Sequence, residues 1–199
     1  MNLFEKIKKY KPQNDQEAYD QEQMLSFMQS FDNYLNRENQ FAHFTASMWT
    51  LNKKHTKTLM VHHNQFQTWS WIGGHADGME DLCAVALKEL KEETSVKNPI
   101  LISEQIFSLE TLTVNGHVKK GVWVPGHIHF NLTYLSEVDE QEQIKPQIGE
   151  NTAVQWCTFE DVLKKSNEPW MIDTVYKKLI EKSKKSSSIF SSTKFYTYY

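Results

Sequence analysis

The stretch GGHADGMEDLCAVALKELKEETSV, residues 73–96, decides how this chain is read. Three of the chain's seven glycines, Gly73, Gly74 and Gly78, fall within its first six positions. A sequence poor in glycine has placed its backbone freedom in one loop, and a helical pattern follows at once. On a wheel of ~100° per residue, Cys83, Ala86, Leu87, Leu90 and the methyl of Thr94 form a stripe expected to face the core. Glu89, Glu92 and Glu93 stand at i, i+3 and i+4 and project together from the adjacent face. Like charges so placed repel by roughly 0.2–0.5 kcal/mol per pair. Three carboxylates at the edge of a core need a cation, and a hard divalent ion with oxygen ligands suits them. Charge runs on helices are usually solvated faces, and K-E-L-K-E-E alone would be read that way. The glycine loop at fixed spacing ahead of it changes the reading.

Outward from this segment, composition sets the bounds. With 199 residues the chain suits one domain with an added terminal element. Its hydrophobic content of 39% excludes a wholly disordered chain. No apolar run approaches the ~20 residues that cross a bilayer, so no membrane partner is expected. The start, MNLFEKIKKYKPQN, lacks the apolar stretch of a signal peptide, and a cytoplasmic location is expected. A net charge of −3 excludes a general basic coat for nucleic acid. Cys83 and Cys157 stand far apart, which excludes a cysteine zinc cluster and fits a reducing compartment. Arg37 is the single arginine among 22 basic residues.

Residues 1–40 read as a polar helical extension. In it Met24, Leu25, Phe27, Met28, Phe31, Tyr34 and Leu35 recur at helical spacing, and Pro12 with residues 13–17 separates a first lysine-rich segment. Residues 41–51 and 58–63 are rich in β-forming side chains and flank a polar loop, as in a hairpin. Residues 66–72 form a third strand ending at Gly73 and Gly74, where a turn is expected. Further strands are expected at 100–112, 118–124, 128–135 and 153–159, with helices at 81–94, 159–165 and 170–185. Residues 183–199, rich in serine, lysine and tyrosine, are expected to be a flexible tail.

The central segment resembles the Nudix box, G-x5-E-x7-R-E-U-x-E-E-x-G-U, where U is a bulky aliphatic residue. Gly74 is followed after five residues by Glu80, and seven more lead to Lys88, Glu89, Leu90, Lys91, Glu92, Glu93, Thr94, Ser95 and Val96. Lys88 stands where arginine is usual and Ser95 where glycine is usual. The resemblance implies an α/β/α sandwich with a mixed central sheet over residues 41–182. It implies hydrolysis of the diphosphate linkage in a nucleoside diphosphate derivative, a nucleotide or nucleotide-sugar-like compound, with Mg²⁺ or Mn²⁺. It further implies Glu92 and Glu93 as metal ligands, Glu89 as a further ligand or the base, and the Gly73 carbonyl as an added ligand. Glu80 is implied to pair with Lys88 and hold the loop on the helix, and Lys88 is expected to make an ion pair with Glu80 or Glu89. Lysine keeps the charge at that position but loses the bidentate fork. Serine at 95 suggests an exit without a left-handed cap residue. A family member without turnover, acting as a nucleotide-binding or regulatory module, is the main alternative. An isomerase of isoprenoid diphosphates would need an acid/base cysteine, and Cys83 faces the core on the wheel.

A further acidic ligand is expected from the loop before the last strand. Glu150 is best placed for it, ahead of Glu140 and Glu142. His127 and His129 share a strand face; two such histidines can bind a metal, but with no third partner at short range a substrate-pocket or packing role is preferred. His75 lies in the glycine loop, within reach of a phosphate. Residues 111–114 carry neither the proline nor the tyrosine that marks some subfamilies, so the substrate stays at the level of a small phosphorylated molecule. The family often dimerises, and the N-terminal stripe is expected either to make a homodimer interface or, as favoured here, to pack on its own domain.

Overall fold

A helix needs a cap before it needs a stripe, and the N-terminal region shows why. Asn2 caps α1 (Leu3–Lys9) by accepting the Glu5 N–H, and Asn14 caps α2 (Asp15–Ser30) by accepting the Glu17 N–H. The polar run 13–17, read as a separator, is therefore the start of α2. That helix stops at Ser30, short of the expected 35, and residues 31–41 cross to the sheet as turns and bends. The computed structural model describes residues 1–119 and 121–192, the last seven of these as backbone.

The sheet is built on β1 (Ala42–Asn52), whose eleven residues are all buried. Such a strand must be covered on both faces. After it come β2 (Lys57–His63), β3 (Thr68–Ser70), β4 (Ile72–His75), α3 (Leu82–Thr94) and β5 (Ile100–Val114). A small hairpin of β6 (His117–Lys119) and β7 (Val122–Val124) precedes β8 (His127–Val138) and β9 (Asn151–Thr158). The chain closes with α4 (Phe159–Lys165), a π-helical turn (Met171–Tyr176) and α5 (Lys177–Ser192). β1 runs parallel to β8 along its whole length and antiparallel to β4, and the sheet order is β3-β2-β1-β8-β5. The expected hairpin of β1 and β2 is joined at the single register pair Leu51↔Thr58; beyond it the strands part, β1 toward β4 and β2 toward β9. Two more expectations shift. Gly73 and Gly74 lie within β4 instead of turning, and residues 118–124 contain a turn between two strands.

Alternation along β1 sorts the two layers. Ala42, Phe44, Ala46 and Met48 enter one core with Leu3, Ile7, Met24, Ala86, Leu90, Phe130, Leu132 and Tyr134. Trp49 and Leu51 face the other, with Met60, Leu135, Val162, Val175, Tyr176 and Leu179. Thus α1, α2 and α3 cover one face, α4 and α5 the other, and the mixed-sheet α/β/α sandwich is present. No helix among the described residues is long and apolar enough to cross a membrane. The tail expected from Ser183 continues α5 to Ser192, with the Trp49 indole donating to a buried Ser183 hydroxyl at 2.9 Å. The tyrosine-rich end of that tail lies outside the described residues.

A buried polar network joins the two ends of the chain. The Lys182 ammonium of α5 meets the Glu17 carboxylate of α2, and also donates to the Tyr10 hydroxyl at 2.7 Å and the Phe107 carbonyl at 3.0 Å. Lys178 lies 3.5 Å from Glu17 and 3.1 Å from Glu110.

Candidate active site

The site begins where β4 presses on its neighbours. A Cβ on Gly73 would lie 2.6 Å from the Ala46 carbonyl oxygen and 2.5 Å from the Ser47 hydroxyl. A Cβ on Gly74 would lie 2.4 Å from the Glu89 carboxylate carbon. Glycine at both positions thus lets β4 close on β1 and lets the Glu89 carboxylate rest on the backbone. The turn follows at Asp77 and Gly78, both at positive φ. Arg37 holds it through two bonds of 2.7 Å to the Asp77 carboxylate, and the Leu35 carbonyl accepts the Gly78 N–H at 3.1 Å. The chain's one arginine clamps the loop from outside, in the fork geometry that lysine cannot offer.

Asp81 caps α3 through the Ala84 N–H. The buried stripe is wider than the wheel implied: Leu82 and Val85 join Cys83, Ala86, Leu90 and Thr94, with Leu87 at the margin. The three glutamates split by depth. Glu93 is 5% exposed, accepting the Gly73 N–H at 3.0 Å and an Asn151 amide N–H at 2.8 Å. Burial pushes its carboxyl up to about 7 against the pull of those two bonds, with the charges of Glu89 and Glu150 adding to the rise. Glu89, half-buried, is raised chiefly by burial; Lys88 opposes this, while Glu92 and Glu150 reinforce it. Glu92 is exposed on an open groove of about 570 Å³ that Lys6, Lys88 and Lys91 also line.

Lys88 lies 3.3 Å from Glu92 and 3.7 Å from Glu89. The hydrogen bond to Glu92, followed by the charge of Glu89, raises its pKa. Of the two partners expected for Lys88, Glu89 is in reach, whereas Glu80 instead accepts the Leu3 N–H at 3.1 Å and fastens α1 to the loop. Ser95, expected to avoid a left-handed cap, adopts one, with φ 60° and ψ 15°; its N–H reaches the Lys91 carbonyl at 3.0 Å and its hydroxyl the Lys145 carbonyl at 3.3 Å.

The last carbonyls of α3 are met by a loop. The Gln147 N–H donates to the Glu93 carbonyl at 3.2 Å and the Lys145 N–H to the Thr94 carbonyl at 2.8 Å. Docked there, the loop brings Glu150 to where its charge bears on Glu89 and Glu93, and sets Asn151 on Glu93. The Asn151 and Gln147 side-chain oxygens are buried with no hydrogen-bond partner. Hard carboxylate oxygens, those of Glu89 and Glu93 largely desolvated, make a donor set that fits Mg²⁺ or Mn²⁺. Sequence reasoning missed Asn151, whose signal is its place directly after Glu150 at the start of β9.

His75, His127 and His129, expected near substrate, gather on the opposite face of the sheet from Phe44 and Phe130, around a fourth histidine the sequence reading passed over. His43 pairs in register with His129, and His75 pairs with Thr45, two residues from His43 on the same face. His127 lies two residues before His129, with their Nε2 atoms 3.0 Å apart. The signal for His43 is its alternation with Thr45 and Ser47, opposite Ala42, Phe44, Ala46 and Met48 on the other face of the strand. Burial, then neighbouring positive charge, holds His75 down to about 3 and His129 lower still; His43 is also lowered, chiefly by burial.

Residues 42–179 match the model of the NUDIX domain, and the chain belongs to the NUDIX family. Among solved structures, a C. elegans Ap4A hydrolase in a binary complex is 20% identical with a TM-score of 0.52, over 75% of this chain and 98% of that one. A NUDIX-family hydrolase from Clostridium perfringens is 21% identical with a TM-score of 0.51, over 70% and 96%. The E. coli dihydroneopterin triphosphate pyrophosphohydrolase is 13% identical with a TM-score of 0.51, over 69% and 94%. At these identities what is shared is the fold. No curated protein matches the chain by sequence.

Proposed function

We propose that this chain is a divalent-metal-dependent hydrolase of the diphosphate linkage in a nucleoside diphosphate derivative. The observation that carries the reading is the pair of desolvated carboxylates, Glu89 and Glu93, seated on the Gly73–Gly74 backbone of a NUDIX domain. Glu89, Glu93 and the Gly73 carbonyl would hold Mg²⁺ or Mn²⁺, with Glu92 and Glu150 at the rim. The bound ion would neutralise the diphosphate and lower the pKa of a water. The names of two fold neighbours, an Ap4A hydrolase and a dihydroneopterin triphosphate pyrophosphohydrolase, are in keeping with such chemistry.

The chain's own groups have separable tasks. Hydrolysis adds water across a P–O–P bridge, so a group must take a proton from the attacking water. Glu89 suits this where it is not itself a ligand, since it faces the Gly74 backbone where no side chain intrudes. Glu93 is fixed by Gly73 and Asn151 and serves as an anchor. The adjoining groove carries mixed charge, Lys6, Lys88 and Lys91 beside Asp81, Glu92 and Glu104, and Lys88 is the cation that stands next to the acids of the helix. The two free, buried thiols, Cys83 and Cys157, suit a reducing cytoplasm. Of the N-terminal stripe, Met24 is buried in the chain's own core and Leu25, Phe27, Met28, Tyr34 and Leu35 pack against it, which supports packing on its own domain over a homodimer interface.

The test is a panel of nucleoside diphosphate derivatives, including dinucleoside polyphosphates and nucleotide sugars, with Mg²⁺ or Mn²⁺ and detection of the released phosphorylated products. Turnover of one class, lost with EDTA and in Glu93→Gln, supports the reading. Absence of turnover on all of them with either metal favours a NUDIX-fold binding module instead.

A further inference from the structure

The histidine cluster is a second constellation of ligand atoms, and the box chemistry does not use it. One nitrogen each from His43, His75 and His129 lies within 4.8 Å of the other two. Three neighbouring strands supply them: β4 gives His75, β1 gives His43 and β8 gives His129. His127 adds a fourth ring, stacked on His43 with centroids 5.0 Å apart.

The tautomers are set by what each ring touches. The Asn39 carbonyl lies 3.2 Å from His43 Nδ1, and a carbonyl only accepts, so Nδ1 carries the proton and Nε2 presents a lone pair. That Nε2 is buried, on a residue 4% exposed, and has no hydrogen-bond partner. A histidine whose Nδ1–H is held by a backbone carbonyl while Nε2 is left bare is oriented as metal-ligating histidines are. In His127 the Nδ1–H donates to the Pro125 carbonyl at 2.9 Å, so its Nε2 accepts the His129 Nε2–H at 3.0 Å, a proton that a bound metal would displace. Nitrogens at ~2.0–2.1 Å from a tetrahedral ion stand about 3.4 Å from one another. The His127–His129 separation of 3.0 Å is close to this, and the nitrogens of His43, His75 and His129, within 4.8 Å of one another, would draw together around an ion. The fixed cation nearest in charge to His75 and His43 is Arg37, and Asp77 neutralises it through both oxygens.

We propose that His43, His75 and His129, with His127 as the fourth nitrogen donor, form a binding site for a divalent transition-metal ion of the Zn²⁺ or Co²⁺ type, distinct from the acidic cluster on α3. All-imidazole donors select such ions and reject Mg²⁺. An ion there would tie β4, and with it Gly73 and Gly74, to β1 and β8.

The experiment uses the metal-stripped full chain. Zn²⁺ is titrated by calorimetry, and Co²⁺ by visible absorption, against wild type, His75→Ala, His129→Ala and Glu93→Gln, with folding checked by circular dichroism. The proposal predicts one tight equivalent of Zn²⁺ that Glu93→Gln retains, while weaker binding at the acidic cluster falls in that variant. It predicts binding weaker by about 10-fold or more in each histidine variant. It also predicts an intense tetrahedral Co²⁺ band in wild type that Zn²⁺ abolishes and excess Mg²⁺ leaves in place. The Co²⁺ reading needs no variant, so misfolding of a histidine substitution does not spare the idea. A wild-type spectrum of the weak octahedral kind overturns it. So does Zn²⁺ binding that Glu93→Gln removes and the histidine variants retain.

Discussion

At the scale of single residues, the two glycines of β4 make opposite demands. Gly73→Ala drives a methyl into the Ala46 carbonyl, which belongs to the central strand and cannot move alone. Overpacking of this kind costs about 1–3 kcal/mol, so denaturant melts should show a lower midpoint. Gly74→Ala meets only the end of a flexible side chain, the Glu89 carboxylate. Its melting should stay close to wild type while hydrolysis falls by 10-fold or more, roughly what misplacing a supporting group costs. Equal melting of the two variants would contradict the geometry.

Glu93 ties stability to pH. Its folded-state carboxyl sits near 7 against an ordinary value of 4.5. The folded, metal-free chain therefore binds that proton more tightly than the unfolded chain, so stability is fullest below pH 4.5 and declines as pH rises to about 7. The loss is on the order of 3 kcal/mol, and Glu89, also raised, adds to it in the same sense. In EDTA, the melting temperature of wild type should drop between pH 5 and pH 8 more than that of Glu93→Gln, whose amide Asn151 can match by turning its own. Mg²⁺ at pH 8 should restore wild type and leave the variant nearly unmoved. Lys88 is different: it is half-exposed, and exposed pairs contribute little to stability. Lys88→Ala should leave melting unchanged and slow turnover, whereas Lys88→Arg should preserve or improve it, as steady-state kinetics will show.

At the scale of elements, α3 carries its own weak point at the exit. Ser95 at φ 60° occupies a region that costs a non-glycine residue about 1–2 kcal/mol. Against this stands one exposed bond of 3.3 Å from its hydroxyl. Ser95→Gly should raise the melting temperature by a few degrees, read by calorimetry, with kinetics unaltered. This is also where the sequence was least legible. The loop at Gly73 and Gly74, the helix after it and its three acids are local patterns, and local patterns are written in order along the chain. The cap at Ser95 was misjudged because docking of residues 145–147 onto the helix end holds a conformation that serine alone would avoid. Glu80 was misassigned for a similar reason, since its partner belongs to α1, 77 positions away. His43 and His129 meet through the register of β1 against β8, and no spacing in the sequence encodes a register between strands so far apart.

At the scale of the whole molecule, the match to the family model begins at residue 42, yet the folded unit does not. Leu3, Ile7 and Met24 lie at 0–1% exposure among Phe44, Leu90 and Tyr134. Removing residues 1–38 strips these side chains along with Arg37 and its hold on Asp77. The truncated chain should melt well below wild type and aggregate, which light scattering with thermal melts will register. Met24→Ala, a smaller wound in the same place, should cost about 2–5 kcal/mol.

The Glu17–Lys182 pair gives the molecule a constraint in time as well as in space. Its partners are 165 residues apart, nearly the length of the chain. During synthesis α2 emerges early, but the ammonium that will neutralise Glu17 is translated 165 residues later. Until then α2 cannot seat that carboxylate against β5 without leaving a bare charge indoors, a state several kcal/mol uphill. The nascent chain therefore holds its first helices in a provisional arrangement while the whole sheet is made, and this core closes only when α5 arrives.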